Sequence, residues 1–269
     1  MCADAPMTPK QQEELRHLLL HGESVLRWWR AVMRATPSSP RCKMCYNPFA
    51  GIGGRIMGLA GFGPSRKNPL MCSRCCEKAP VGGVEVEIGV LFADVRGYTS
   101  TAEKMAPEDV ARFLDPLYFV ATEVLTHHDA IIDKFIGDEV LALFIPGFAG
   151  SDYVSKMASA AEKLFERLGY TSSDRPSVSL GIGMDHGLAF VGNLGAGGIT
   201  DFTALGDVVN TAARLQAEAK PGQIVMSERV YQQVAGRYPN AQAVELTLKG
   251  KSEPVAARVI DLNAAPVAA

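Results

Sequence analysis

The sequence has no apolar run approaching the eighteen or so residues needed to span a bilayer; stretches such as Val140–Ile145 end far short of it. Nor does a basic stretch followed by an apolar segment open the chain, as an export signal would. Both absences lead to the expectation of a soluble, cytoplasmic protein with no membrane partner. Cysteine is missing after Cys76, which excludes disulfides from all that follows. A large net charge is missing too: the formal balance of −2 excludes a surface basic enough overall to coat nucleic acid, so a nucleic-acid partner is not expected. No internal repeat is detectable.

What is present supports one substantial core, since 47% of the 269 residues are apolar, with a small accessory module beside it. Residues 1–36 contain an amphipathic helical segment. Leu15, Leu18, Leu19, Leu26, Trp29, Val32 and Met33 lie near one helical face, with Gly22 as a weak point and Pro37 and Pro40 as stops. Trp28 and Trp29 are expected to pack rather than bind a cofactor.

Residues 37–80 are rich in glycine and proline and too poor in apolar periodicity to fold on a core of their own. They hold two C-x-x-C pairs, CKMC and CSRC, separated by the 26 residues 46–71. Each pair can offer two thiolates from a tight knuckle, and a four-cysteine site can fold a segment that lacks a core. Structural zinc on Cys42, Cys45, Cys72 and Cys75 is the first reading. An iron–sulfur cluster uses the same supply of thiolates. A redox dithiol, to which Cys76 beside Cys75 lends weight, is the third, and four buried free cysteines rank below all of these. Basic residues dominate the same stretch: Arg41, Lys43, Arg55, Arg66, Lys67, Arg74 and Lys78 stand against Glu77 alone. The plain expectation is a solvated face, ahead of a patch for nucleic acid or an acidic partner.

From Val84 to about Leu262, strand and helix patterns alternate. VEVEIGVLFADV reads as a strand turning fully apolar toward its end, and APEDVARFLDPLYFVATEVLTHH as a helix with Pro107 and acidic residues in its first turn. His127 and His128 end that helix and are read as caps for its carbonyls. A hairpin IIDKFIGDEVLALF follows, then a helix at 151–169, strands around SVSLGIGMDHG and LAFVGNLG, a helix over 206–220 and strands near 223–227, 243–248 and 255–262. The architecture expected is α+β, a mixed or antiparallel sheet flanked by helices.

Asp94 ends the first apolar strand and is followed by a glycine-containing turn, whose backbone N–H groups can receive phosphate oxygens. Asp138 sits in the Gly137–Asp138 turn of the hairpin, where a glycine in first position suits a type II′ geometry. If the two strands are neighbours, the carboxylates converge and can hold a pair of Mg²⁺ or Mn²⁺ ions whose shells are completed by substrate phosphates. Singly, each aspartate reads as a routine turn residue.

Together, FADVRGYTS and DKFIGDEVLALF resemble the class III nucleotidyl cyclases, the adenylate and guanylate cyclase family. The resemblance runs from Val84 to Leu262 and continues in DFTALGDVVNTAARLQ and LKGKSEP, four motifs in the family's order. It implies a ferredoxin-like catalytic core over 84–262. It also implies Asp94 and Asp138 as ligands of two Mg²⁺ or Mn²⁺ ions, and Gly97, Tyr98 and Thr99 as the triphosphate-cradling turn. Lys134 and Thr203 match the purine-selecting pair, Asn210 the ribose-orienting asparagine and Arg214 the arginine that stabilises the transition state. Lys249 matches the triphosphate-binding lysine, with Lys251 close by.

Lysine is donor-only, so Lys134 suits adenine N1 and opposes guanine N1–H; Thr203 can accept from N6 but can also donate. The reading is therefore an adenylate cyclase making 3′,5′-cyclic AMP and pyrophosphate from ATP. The Lys/Thr pairing resembles the subgroup found in bacteria and in the bicarbonate-responsive soluble enzymes. Family sites lie between two catalytic domains, and this chain carries both residue sets, which implies a head-to-tail homodimer with two sites. Residues 1–80 would then be a regulatory or dimer-setting module. The competing readings are a guanylate or diguanylate cyclase, to which IGDEV lends some support, and a catalytically weak or dead nucleotide-sensing or zinc-binding module. Glu139 and His186 receive no role.

Overall fold

The computed structural model describes residues 7–22, 32, 40–65, 68–77, 81–170, 176–196 and 199–262. Expectations at Leu26, Trp28, Trp29, Met33, Pro37, Arg66, Lys67 and Lys78 lie outside the described residues. Two compact units divide the chain. The first comprises Met1–Ile88, Ile145–Asp152 and Gly187–Gly206, and the second Gly89–Phe144, Tyr153–His186 and Asp207–Ala269.

In the first unit, helix α1 (Pro9–His21) starts at a reciprocal cap: the Thr8 hydroxyl accepts from the Gln11 N–H at 3.3 Å while the Gln11 side chain accepts from the Thr8 N–H at 2.8 Å. Its buried face is Leu15, Leu18 and Leu19, and Gly22 closes it in the left-handed conformation. The segment, expected as one amphipathic helix or a pair of helices, thus has a helix end here, set by the residue that reads as its weak point. The cysteine segment contributes two short helices, α2 (Gly51–Met57) and α3 (Ser73–Glu77).

Strand β1 (Gly82–Val95) shows why its sequence changes character midway. Glu85 and Glu87 are exposed between buried Val84, Val86 and Ile88, and then Gly89 to Ala93 are buried without a break. Alternation marks a strand with one wet face, and the continuous run one covered on both. A short helix α4 (Tyr98–Ala102) follows, then α5 (Pro107–His127), whose buried Leu114, Leu117, Ala121, Val124 and Leu125 recur at helical spacing. As expected of a cap, His128 Nδ1 donates to the Val124 carbonyl at 2.7 Å.

The hairpin is β2 (Ile131–Ile136) and β3 (Glu139–Phe144); next come α6 (Pro146–Ala149) and α7 (Tyr153–Arg167). β4 (Leu180–Ala196) joins LGIGMDHG and LAFVGNLG in a single strand, where the sequence reads as two, one around SVSLGIGMDHG and one around LAFVGNLG. Gly187 between them does not interrupt it. β5 (Ile199–Leu205) folds back on β4 and is an element the sequence reading does not contain. The chain ends in α8 (Asp207–Glu218), β6 (Gln223–Ser227), α9 (Glu228–Val234), β7 (Gln242–Leu246) and β8 (Val255–Asp261). Among the described residues the sheet order is β2-β3-β1-β4-β6-β8-β7, with β5 pairing β4. The β4–β6 pairing is parallel; the β1–β3, β2–β3, β4–β5, β6–β8 and β7–β8 pairings are antiparallel. A mixed sheet flanked by helices is thus the architecture, as expected.

One contact in the second unit sets the position of α8. A Cβ built on Gly183 of β4 would stand 2.1 Å from the Gln216 backbone nitrogen and 2.4 Å from the Ala212 carbonyl oxygen, so the helix rests on the strand backbone to backbone. Any side chain there must push the helix away. Gly183→Ala is expected to lower unfolding stability by about 1–3 kcal/mol, measured by denaturant titration. An unchanged midpoint would contradict the close approach.

Candidate active site

Antiparallel pairing of β1 with β3 puts Asp94 directly opposite Glu139, and the preceding turn residue is Asp138. The turn needs a positive φ at its first position and not at its second, which is what a type II′ turn requires; Gly137 has φ 60° and Asp138 is not among the positive-φ residues. A Cβ at Gly137 would meet nothing, so it is the backbone conformation that calls for glycine. Tyr118 of α5 donates from its hydroxyl to the Gly137 carbonyl and packs at a tilt against Phe135, ring centres 4.8 Å apart, pinning the tip.

The two aspartates converge as the sequence predicts. Burial, together with the hydrogen-bonded Asp94 carboxylate and its charge, pushes Asp138 up to about 7. Glu139, which sequence reasoning leaves without a role, is also raised, first by burial and then by the Asp94 charge. Asp94 and Asp138 bring two hard oxygen donors, the donor type a divalent cation takes, into one partly buried corner, with Glu139 close enough to feel the Asp94 charge. Two partners restrain Asp94: Arg96 donates from its guanidinium, and Gln216 Nε2 donates at 3.0 Å, both to Oδ2. Neither was singled out from sequence. Arg96 stands two residues beyond Asp94, and Gln216 lies inside the NTAARLQ stretch already noted, so spacing from the motif residues was the available signal.

Gly97 turns the chain at φ 75° into α4, and its carbonyl accepts from the Ser100 and Thr101 hydroxyls at 3.0 Å each. Tyr98 and Thr99 therefore open a short helix rather than a loop. On α8, Asn210 and Arg214 lie one turn apart, Asn210 exposed and Arg214 half-buried. The Arg214 guanidinium stands beside the LKGK loop, 3.3 Å from where a Gly250 Cβ would be. Within that loop Lys249 is exposed, whereas Lys251 Nζ contacts both Asp207 carboxylate oxygens at 2.6 Å and holds that carboxyl below its usual range.

Lys134 follows a bulge in β2, between Ile132 paired to Ala142 and Lys134 paired to Leu141. The bulged residue is Asp133, whose fully buried carboxylate lies 2.7 Å from Lys134 Nζ. Thr203 is in the first unit, on β5 opposite Gly192 of β4, and half-buried.

The four cysteines also converge. The Sγ atoms of Cys42, Cys45, Cys72 and Cys75 lie within 4.8 Å of one another, and Cys45 and Cys72 are 3.6 Å apart. N–H groups of the segment donate to them: Cys72 to Cys42 Sγ at 3.2 Å and Cys75 to Cys72 Sγ at 3.4 Å. The Lys43 N–H donates to the Leu70 carbonyl at 2.8 Å, joining the two knuckles. All four thiols are free and must share protons. Hydrogen bonds from Cys45, Cys72 and Cys75 hold Cys42 low, while Cys42, Cys45, Cys72 and burial push Cys75 up. Four thiols gathered in this way can hold one metal ion.

Among the described residues no helix is long and apolar enough to cross a membrane. The family model for the adenylate and guanylate cyclase catalytic domain matches residues 84–259. An adenylate cyclase of Anabaena cylindrica is 31% identical over 156 residues, covering 53% of this chain and 31% of that protein. The terminal-differentiation-specific adenylate cyclase of Dictyostelium discoideum is 32% identical over 176 residues, 62% of this chain and 8% of that protein. The chain thus spans a third or less of the length of these relatives. Among solved structures, the guanylyl cyclase Cya2 superposes with a TM-score of 0.59 at 28% identity, covering 66% of this chain and 93% of that one. The relatives' names cover both purines, and what they share is the domain. With the family model matching residues 84–259, well over half of its length, the chain belongs to the adenylate and guanylate cyclase catalytic-domain family.

Proposed function

We propose that the protein is an adenylate cyclase, converting ATP to 3′,5′-cyclic AMP and pyrophosphate at two equivalent sites of a head-to-tail homodimer. The observation that carries this reading is on α8. Gln216 reaches Asp94, while Arg214, two residues earlier and so turned by about 200°, lies beside Gly250. The metal-binding carboxylates and the arginine thus face away from one another in a single chain. A second copy can bring its own Asn210 and Arg214 to the Asp94–Asp138 corner of the first, and symmetry then makes two sites.

When bound, two Mg²⁺ or Mn²⁺ ions on Asp94 and Asp138 supply acidification of the ribose 3′-hydroxyl and neutralisation of the polyphosphate. The 3′-oxygen attacks the α-phosphorus and pyrophosphate leaves. Asn210 orients the ribose. Arg214 meets the charge that grows on the phosphoryl oxygens, which makes its guanidinium worth more in the transition state than in the ground state. The Gly97–Tyr98–Thr99 turn and Lys249 receive the phosphates. Lys249 is exposed whereas Lys251 is engaged by Asp207, which supports Lys249 for that role.

Lys134 and Thr203 select the purine. The Lys134 ammonium, beside the buried Asp133 carboxylate, can only donate. It suits adenine N1 and leaves guanine N1–H without an acceptor.

The four-cysteine centre holds zinc in this reading. A tetrahedron with Zn–S of about 2.3 Å has edges of about 3.8 Å, close to the 3.6 Å between Cys45 and Cys72. That supports one ion over an iron–sulfur cluster, whose irons and sulfides would part the thiolates further. Its metal state tunes cyclase output.

With Mn²⁺, ATP is expected to be preferred over GTP by about 10- to 100-fold in kcat/KM, the equivalent of ~1–3 kcal/mol for one unpaired donor; equal turnover of the two nucleotides sinks the assignment of Lys134. Asp94→Ala and Arg214→Ala should each abolish turnover with the fold retained. Mixed in equal amounts after dissociation and reassociation, they should recover about a quarter of wild-type activity, because random pairing makes half the dimers mixed and each mixed dimer has one intact site. No recovery, with mixed dimers verified by mass, would rule out the shared site.

A further inference from the structure

Helix α3 (Ser73–Glu77) has only five residues, too few to persist without tertiary support. Its support is local to the cysteine centre. Cys72 immediately precedes it and Cys75 lies within it, and these are two of the four converging thiols. Cys72 also bridges to Pro64, the Ser73 hydroxyl donates to the Gly61 carbonyl at 2.9 Å, and the Arg74 guanidinium lies over the Phe62 ring at 4.5 Å. The same helix also packs against β5 (Ile199–Leu205), the strand that carries Thr203. Among the described residues β5 is hydrogen-bonded in the sheet to β4 alone. One edge of the Thr203 strand is thus held by a ladder, and α3 is the helix set against it.

We propose that the ion on Cys42, Cys45, Cys72 and Cys75 is a positioning device for β5. By fixing α3 it fixes the register and height of Thr203, and so nucleotide affinity and purine choice respond to occupancy of the cysteine centre. This rests on the zinc and purine-contact readings given above. Thr203 is the contact; the cysteines act only through α3 and β5. The chemistry at Asp94, Asp138 and Arg214 is not addressed by this route, so the effect belongs in KM and in the ATP-to-GTP ratio rather than in kcat.

The test uses the full-length protein, with zinc content measured on every sample. Wild type reconstituted with zinc is compared with chelator-treated wild type, Cys75→Ser and Cys75→His, the last keeping a group that can ligate zinc. Amide hydrogen exchange is read peptide by peptide and needs no turnover, so it stays informative even if the nucleotide assignment fails. Loss of zinc should speed exchange in residues 199–205 by on the order of tenfold with residues 131–144 unchanged, and Cys75→His should restore both zinc and protection. In parallel, the KM for ATP should rise several-fold and the ATP preference over GTP shrink. Unchanged exchange in 199–205 after verified zinc loss overturns the proposal. So does acceleration spread equally through 131–144, which would make the centre a support for the whole fold, and so does reconstituted protein holding well below one zinc per chain. Protein with zinc-dependent β5 exchange but no cyclase activity would instead overturn the proposed function.

Discussion

Like-charge repulsion at the end of β1 is the constraint around which the second unit is arranged. Asp138 and Glu139 would move away from Asp94 if the chain were free to let them, since burial and the Asp94 charge oppose the ionisation of both. They are held by a ladder of apolar residues, Val90 to Ala93 against Val140 to Leu143, all buried. Hydrophobic burial behind the corner thus offsets electrostatic cost at its tip, and Arg96 and Gln216 orient one member of the group. Tyr118 then fixes the turn that carries another. The pattern is that of a site arranged for a ligand of opposite charge before the ligand arrives.

The other half of the proposed site depends on how closely α8 can lie on β4. Gly183 allows contact at the backbone, and Leu215 with Ala219, Val225, Leu248 and Ala257 forms the apolar cluster that keeps the helix down. Since Leu248 precedes the LKGK loop, the cluster that seats the helix also seats the loop beside Arg214. Packing of small residues under α8 therefore does for the arginine what the β1–β3 ladder does for the carboxylates.

Much of this could be read from the residues before any coordinates. The change in β1 from alternating to continuous apolar character was plain in VEVEIGVLFADV, and the Gly137–Asp138 turn in its composition. The meeting of Asp94 with Asp138 followed once the two strands were taken as neighbours. Elements of weak local signal were not recovered. β5 in ITDFTAL mixes polar and apolar residues without strict alternation, and its strand state comes with its pairing to β4. The strands read around SVSLGIGMDHG and LAFVGNLG are one, because extended backbone runs on through Gly187. Arg96, Gln216 and Asp133 escaped because their importance comes from where the sheet and helix place them; a glutamine near the end of a helix and an aspartate beside a lysine carry no mark of burial in one dimension. The cysteine spacing announced a centre, and only the fold sets the helix bearing Cys75 beside the strand bearing Thr203.

The seating of α8 has a mechanical side. Gln216 and Arg214 project from nearly opposite sides of the same helix, so the helix acts as an axle between them. A roll that draws the amide toward Asp94 swings the guanidinium the other way along its own arc, and a roll in reverse exchanges the two. Gly183 sits under that axle with no clearance. The strand therefore serves as the bearing that sets how far it can turn, and a nudge felt at one end is registered, with inverted sense, at the other.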